Sequence, residues 1–151
     1  MALPATDQQR TFTVSYRLSG LAVAYDDVVD VYWQAWGEEW QEPLGSLVAT
    51  MTLPGDPRKG EVKVFGHPAS VNGQTSLGPD KASPTLVAID VPAEQFVEMR
   101  VVFPRELLSS TGGATVRQGS ASASPETTLQ NAAPSASPPA GGGGGTAGQG
   151  L

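Results

Sequence analysis

FVEMRVVFP, residues 96–104, reads as a strand. Val97, Met99, Val101 and Phe103 project to one side of an extended chain, and Glu98 and Arg100 project to the other. Successive side chains of a strand point to opposite faces, so a period of two describes a strand with one face buried. Pro104 has no amide hydrogen with which to continue a ladder, and the strand ends there. The same period recurs outward along the chain. In TFTVSYRL, residues 11–18, Phe12, Val14, Tyr16 and Leu18 oppose Thr11, Thr13, Ser15 and Arg17. In SLVATMTLP, residues 46–54, Leu47, Ala49, Met51 and Leu53 oppose Val48, Thr50 and Thr52, and Pro54-Gly55 supplies turn chemistry. Shorter strands are expected at Glu61–Phe65 and Thr85–Val91, and Asn72-Gly73 reads as a turn.

Pro54, Pro57, Pro68, Pro79, Pro84 and Pro92 fall between the periodic runs, and no stretch sustains a period of 3.6. This punctuation predicts an all-β fold, an antiparallel β-sandwich of short strands, in which helix is nearly excluded. The expected interior is Phe12, Val14, Tyr16, Trp33, Leu47, Met51, Leu53, Val97, Met99, Val101 and Phe103.

VYWQAWGEEWQEPL, residues 31–44, holds every tryptophan of the chain: Trp33, Trp36 and Trp40. Their spacing is helical, but DVVDVYW is β-branched and aromatic, Gly37 interrupts it, and Pro43 follows closely. The segment therefore reads as a strand over about 28–35, a tight turn over WGEE, and an extended return. Each indole can bury up to ~200 Å², worth several kcal/mol at ~25 cal/mol per Å². Core packing is accordingly expected for Trp33 and Trp40, while Trp36, next to the turn glycine, is expected to stay partly exposed.

Composition divides the chain into an N-terminal extension (1–10), a β-sandwich domain (11–108) and a tail (109–151). Beyond Ser109 there is no aromatic residue, and only Arg117 and Glu126 are charged. A Ser/Ala/Pro/Gly-rich segment of this kind buries too little apolar area to offset the entropy of ordering it, and disorder is expected. Because the two tail charges cancel, the domain carries the whole formal charge of −6. An acidic surface without a Lys/Arg cluster is a poor partner for nucleic acid or anionic lipid. The absence of cysteine removes disulfides, thiolate catalysis and cysteine-ligated metals. No apolar run reaches the ~18 to 20 residues of a membrane-spanning helix, and MALPATDQQR is not a signal peptide.

The stretch YRLSGLAVAYDDVVDVYWQAWGEEWQEPLGSLVATMTLPG, followed by GH and then by VEMRVVFP, resembles the extracytoplasmic domain of the YciQ-like family of predicted bacterial membrane proteins of unknown function. The shared pattern covers roughly residues 11–104. It comprises a Tyr-led strand, an Asp-rich approach, Tyr32-Trp33, Gly37, Trp40 and Pro43, and strands closing on Leu53-Pro54 and Phe103-Pro104. The resemblance implies an all-β domain on the extracytoplasmic face of the membrane, ahead of transmembrane helices. It also implies a signal sequence and further N-terminal strands, so this chain reads as a fragment with an unpaired edge or an uncovered face.

Chemistry is sparse. Asp26, Asp27, Asp30, Glu38, Glu39 and Glu42 are calcium-type ligands, but the D-x-[DN]-x-[DN]-G loop is absent. His67, the single histidine, would have to serve any Ser-His-Asp triad, yet no G-x-S-x-G elbow accompanies it and Pro68 makes a turn more natural. GGGGG at 141–145 is a flexible spacer and not a phosphate cradle. No catalytic, metal or cofactor-binding residue is expected. The expectation is a non-enzymatic domain with a structural or interaction role at the cell envelope and an envelope protein or glycan as partner. The alternative is a carbohydrate- or peptide-binding module using Trp36, with Glu38 and Glu39 as further contacts.

Overall fold

The computed structural model describes residues 9–121. Eight strands follow one another: β1 (Ala22–Ala24), β2 (Val28–Trp36), β3 (Leu44–Thr50), β4 (Lys63–His67), β5 (Gly73–Ser76), β6 (Thr85–Val91), β7 (Val97–Pro104) and β8 (Thr115–Val116). Single 3-10 turns lie at Pro57–Lys59 and Arg105–Leu107, and the described residues contain no α-helix. The strands form two sheets, one ordered β4-β7-β2-β1-β8 and the other β3-β6-β5. Every pairing is antiparallel except that of β1 with β8.

β7 holds the larger sheet together, paired with β2 on one side and β4 on the other. Residues directly opposite in a ladder share a face. Val29, Val31 and Trp33 of β2 therefore lie on the same side as their partners Phe103, Val101 and Met99, and Val64 of β4 joins them opposite Val101. Val29, Val64, Val97, Met99, Val101 and Phe103 are buried in consequence, and Ala49, Leu86, Ala88 and Val91 cover them from the smaller sheet. Full burial of a Val, Leu, Met or Phe side chain contributes about 1.5–3 kcal/mol, so this layer is the main source of stability.

The sequential pairs β2/β3, β4/β5 and β6/β7 each have one member in either sheet, which makes each connection an arch between layers. β4 and β5 approach one another at one end of the sandwich. The larger sheet has two strands more than the smaller one, and β1 and β8 lie at its opposite end from β4. The segment after β7 packs inward, with Leu107 buried beside Gly55 and Leu108 and Ala114 packed against the core.

Several expectations need correction. TFTVSYRL belongs to neither sheet, and its intended core residues Phe12, Val14 and Tyr16 are 82 %, 76 % and 66 % exposed. Amphipathic alternation creates an apolar face, but that face stays in water unless a ladder and an opposing layer receive it. Trp33, Leu47 and Met51 are only partly buried, though all three pack against the core. Gly73 opens β5 instead of completing a turn. A Cβ there would lie 2.5 Å from the Val87 carbonyl oxygen, so close approach of two backbones is what demands glycine. β8 lies past the compositional boundary at residue 108, because two residues suffice to complete a sheet edge. The tail expected to be disordered lies, from residue 122, outside the described residues.

Candidate functional site

β2 builds the most distinctive surface. Its register with β7 runs evenly from Val28 opposite Pro104 to Gln34 opposite Glu98, and then Trp36, not Ala35, stands opposite Val97. Ala35 is thus the extra residue of a β-bulge, which lets neighbouring side chains face the same way. The bulge carries Trp36 onto the inner face, where Ala35 and Trp36 both pack against the core. The chain then turns through Gly37, and Trp40 comes back over Trp36 with ring centroids 4.9 Å apart and planes 15° from parallel. Trp40 is 56 % exposed. The core expectation for Trp40 is therefore overturned, while Trp36 is partly exposed as expected: Trp36 is the inner indole and Trp40 the outer one, because the bulge shifts the phase of the strand by one residue.

The turn is fixed at two points. Gln34 Nε2 donates to Glu38 Oε2 at 2.9 Å, and the Glu94 amide donates to the Trp40 carbonyl at 2.8 Å. Glu38 and Glu39 both lie exposed beside the indoles. The Trp36 Nε1 hydrogen is buried without an acceptor, an arrangement that costs about 1–3 kcal/mol in a closed protein.

The outer face of β4-β7-β2 carries a second cluster. Arg100 is only 8 % exposed although it points away from the core. Its Nε and Nη2 donate to Asp30 Oδ1 and Oδ2 at 2.9 and 2.7 Å, a bidentate geometry that matches the guanidinium fork to the carboxylate. The guanidinium carbon lies 5.8 Å from the Phe65 ring centroid, close enough for cation–π attraction. One row along, Tyr32 Oη donates to Glu98 Oε2, and the Tyr32 ring stacks on His67 at 6.0 Å and 20°. Outward residues of three strands thus interlock as a polar-aromatic layer.

Residues 3–103 match the family described as Predicted membrane protein (DUF2207) N-terminal domain. The chain belongs to this family. The DUF2207 match takes in residues 11–18 and the chain from β1 to Phe103, and leaves β8 beyond it. Membership associates the domain with a membrane protein, and among the described residues no helix is long and apolar enough to cross a membrane. No curated protein and no solved structure matches the chain.

Within this DUF2207 domain the carboxylates considered for calcium are dispersed. Asp30 serves Arg100, Asp26 Oδ2 accepts the Gly119 amide at 2.7 Å, and Glu38 serves Gln34. His67 ends a strand opposite Glu98 instead of standing in a loop. Elsewhere, hydrogen bonds from the Arg58 guanidinium hold the exposed Asp56 carboxyl below its usual range, and the same bonds raise Arg58. What this pair contributes is present at neutral pH and disappears as the pH falls through the lowered Asp56 pKa.

Sequence reasoning overlooked the Asp30–Arg100 and Tyr32–Glu98 contacts. Their partners are 70 and 66 positions apart, and only the β2–β7 register brings them together. The available signal was an arginine and an acid, each at an outward position of a strongly alternating strand.

Proposed function

We propose that this domain is a non-enzymatic interaction module on the extracytoplasmic side of a membrane protein, and that it binds an envelope glycan or an extended peptide on the outer face of Trp40. The observation that carries the reading is the indole stack. An exposed Trp40 ring, 56 % accessible, is backed by a second indole packed on the core. A flat apolar surface fixed in advance loses little freedom on binding, and an indole face suits the C–H face of a sugar ring or the apolar side of a peptide. Glu38 and Glu39 add carboxylate acceptors at its rim for hydroxyl or amine donors. Membership in a family of predicted membrane proteins supports the location.

The binding test is a titration of the domain with envelope glycan fragments and peptides, followed by tryptophan fluorescence. A saturable spectral change is expected in the native protein and in Trp33→Phe, and its loss is expected in Trp40→Ala. A Trp40→Ala protein that binds as well as the native one, or no saturable change with either ligand class, would discard the platform. Labelling of the full membrane protein in intact cells with an impermeant reagent tests the location independently.

A further inference from the structure

Two unsatisfied features of the fold are complementary. The first is the arm, residues 11–18, whose apolar side of Phe12, Val14, Tyr16 and Leu18 is 53–82 % exposed. The second is the free edge of β3, which pairs with β6 on one side and ends its sheet on the other. The smaller sheet is two strands short of the larger one, and the shortage falls at this edge, opposite β1 and β8. At this end of the larger sheet Leu21 is 36 % and Val116 64 % exposed. A strand added beside β3 would lie opposite this end.

The arm has the properties such a strand needs. β3 has 7 residues, and an extended arm over 11–18 spans about 26 Å at ~3.3 Å per residue, enough to run its full length. Placed with its apolar side inward, the arm would extend the layer of part-buried Leu44, Leu47 and Met51, and its Thr and Ser side would continue outward-facing Ser46 and Thr50. The charges also match. Arg10 directly precedes the arm and Arg17 lies within it, with no acid between them, and Glu38, Glu39 and Glu42 precede β3.

The arm does not reach this edge in its own molecule. The Gly20 amide donates to the Gly113 carbonyl at 3.0 Å, holding the start of β1 beside the approach to β8 at the far side of the larger sheet. Residues 11–18 therefore leave the sandwich from the sheet opposite β3, and crossing back would require a reversal within Ser19. A second molecule carries no such constraint.

We propose that the arm of one copy pairs with β3 of a second copy, giving a reciprocal strand-exchanged dimer. Main-chain hydrogen bonds would supply affinity and the alternating side chains would set register, as in other strand additions. The two-fold relation closes the assembly and removes the exposed edge.

The test uses the full chain over a range of concentrations, with light scattering for mass and amide exchange for protection. The expected result is a dimer in which amides of residues 11–18 gain protection together with dimer formation. Val14→Pro, which changes no strand of the sandwich, should weaken the dimer at least tenfold while leaving monomer exchange in β7 unchanged. Phe12→Ser combined with Tyr16→Ser should do the same without altering backbone chemistry. A chain that is monomeric throughout overturns the proposal, as does a monomer with a protected arm, which would place the arm on its own β3. A dimer indifferent to both arm variants also overturns it.

Discussion

Residues 97–103 and residues 12–18 both place an apolar side chain at every second position, yet Met99 and Val101 are fully buried while Phe12 and Val14 are 82 % and 76 % exposed. The difference lies in their neighbours. β7 has a ladder on each side and an opposing sheet, so each apolar side chain meets other side chains on its inner face. The arm has the face without the ladder. A strand pattern therefore specifies what a segment offers, and topology decides whether the offer is taken up.

The contrast breaks most readily in the middle of β7. Met99 is fully buried opposite Trp33 and Gly66, so Met99→Ala should lower unfolding stability by about 3–4 kcal/mol, within the range for removing most of a buried side chain. A denaturant melt giving less than about 1 kcal/mol would mean that β7 is no better packed than the arm.

A smaller effect is expected on the outer side of the same ladder. Asp30→Ala strips a nearly buried guanidinium of its bidentate partner, and such a loss costs about 3–5 kcal/mol when both groups are fully desolvated. The Asp30 and Arg100 side chains retain 17 % and 10 % exposure, so water offsets part of the loss and about 2–3 kcal/mol is expected. Replacing both, as Asp30→Leu with Arg100→Met, should recover most of it in the same melts. A double variant as unstable as Asp30→Ala would mean that the ion pair is not what makes this face matter.

The smallest effect belongs to the arm. In dilute monomer, Tyr16→Ser should change stability by less than about 0.5 kcal/mol, as for other exposed positions away from special contacts. A loss above about 1.5 kcal/mol at that dilution would show that the arm packs on the sandwich and would erase the comparison.

The two regions also measure what the sequence discloses. The all-β class, the positions of β3, β6 and β7, and the inward set Val97, Met99, Val101 and Phe103 follow from local periodicity, which the chain carries within each segment. β8 escaped because a two-residue strand has no period. The Arg100–Asp30 pair escaped because register is a relation between distant segments. At the candidate site, the concentration of indoles near Trp36 was legible, and so were Glu38 and Glu39 beside it. Which indole faces solvent was not, since Ala35 carries no signature of the bulge it forms.

That bulge makes register against β7, more than the identity of the bulged residue, the decisive quantity in this part of the chain. Ahead of Ala35 the inward positions of β2 are odd-numbered, and after it the inward indole is even-numbered. Deleting the one alanine would give an unbroken register in which the indole follows Gln34 directly, still opposite Val97 and still facing inward, so the inner member of the stacked pair would keep its side. What the platform requires is an indole opposite Val97, a condition that Ala35→Ser would also leave intact.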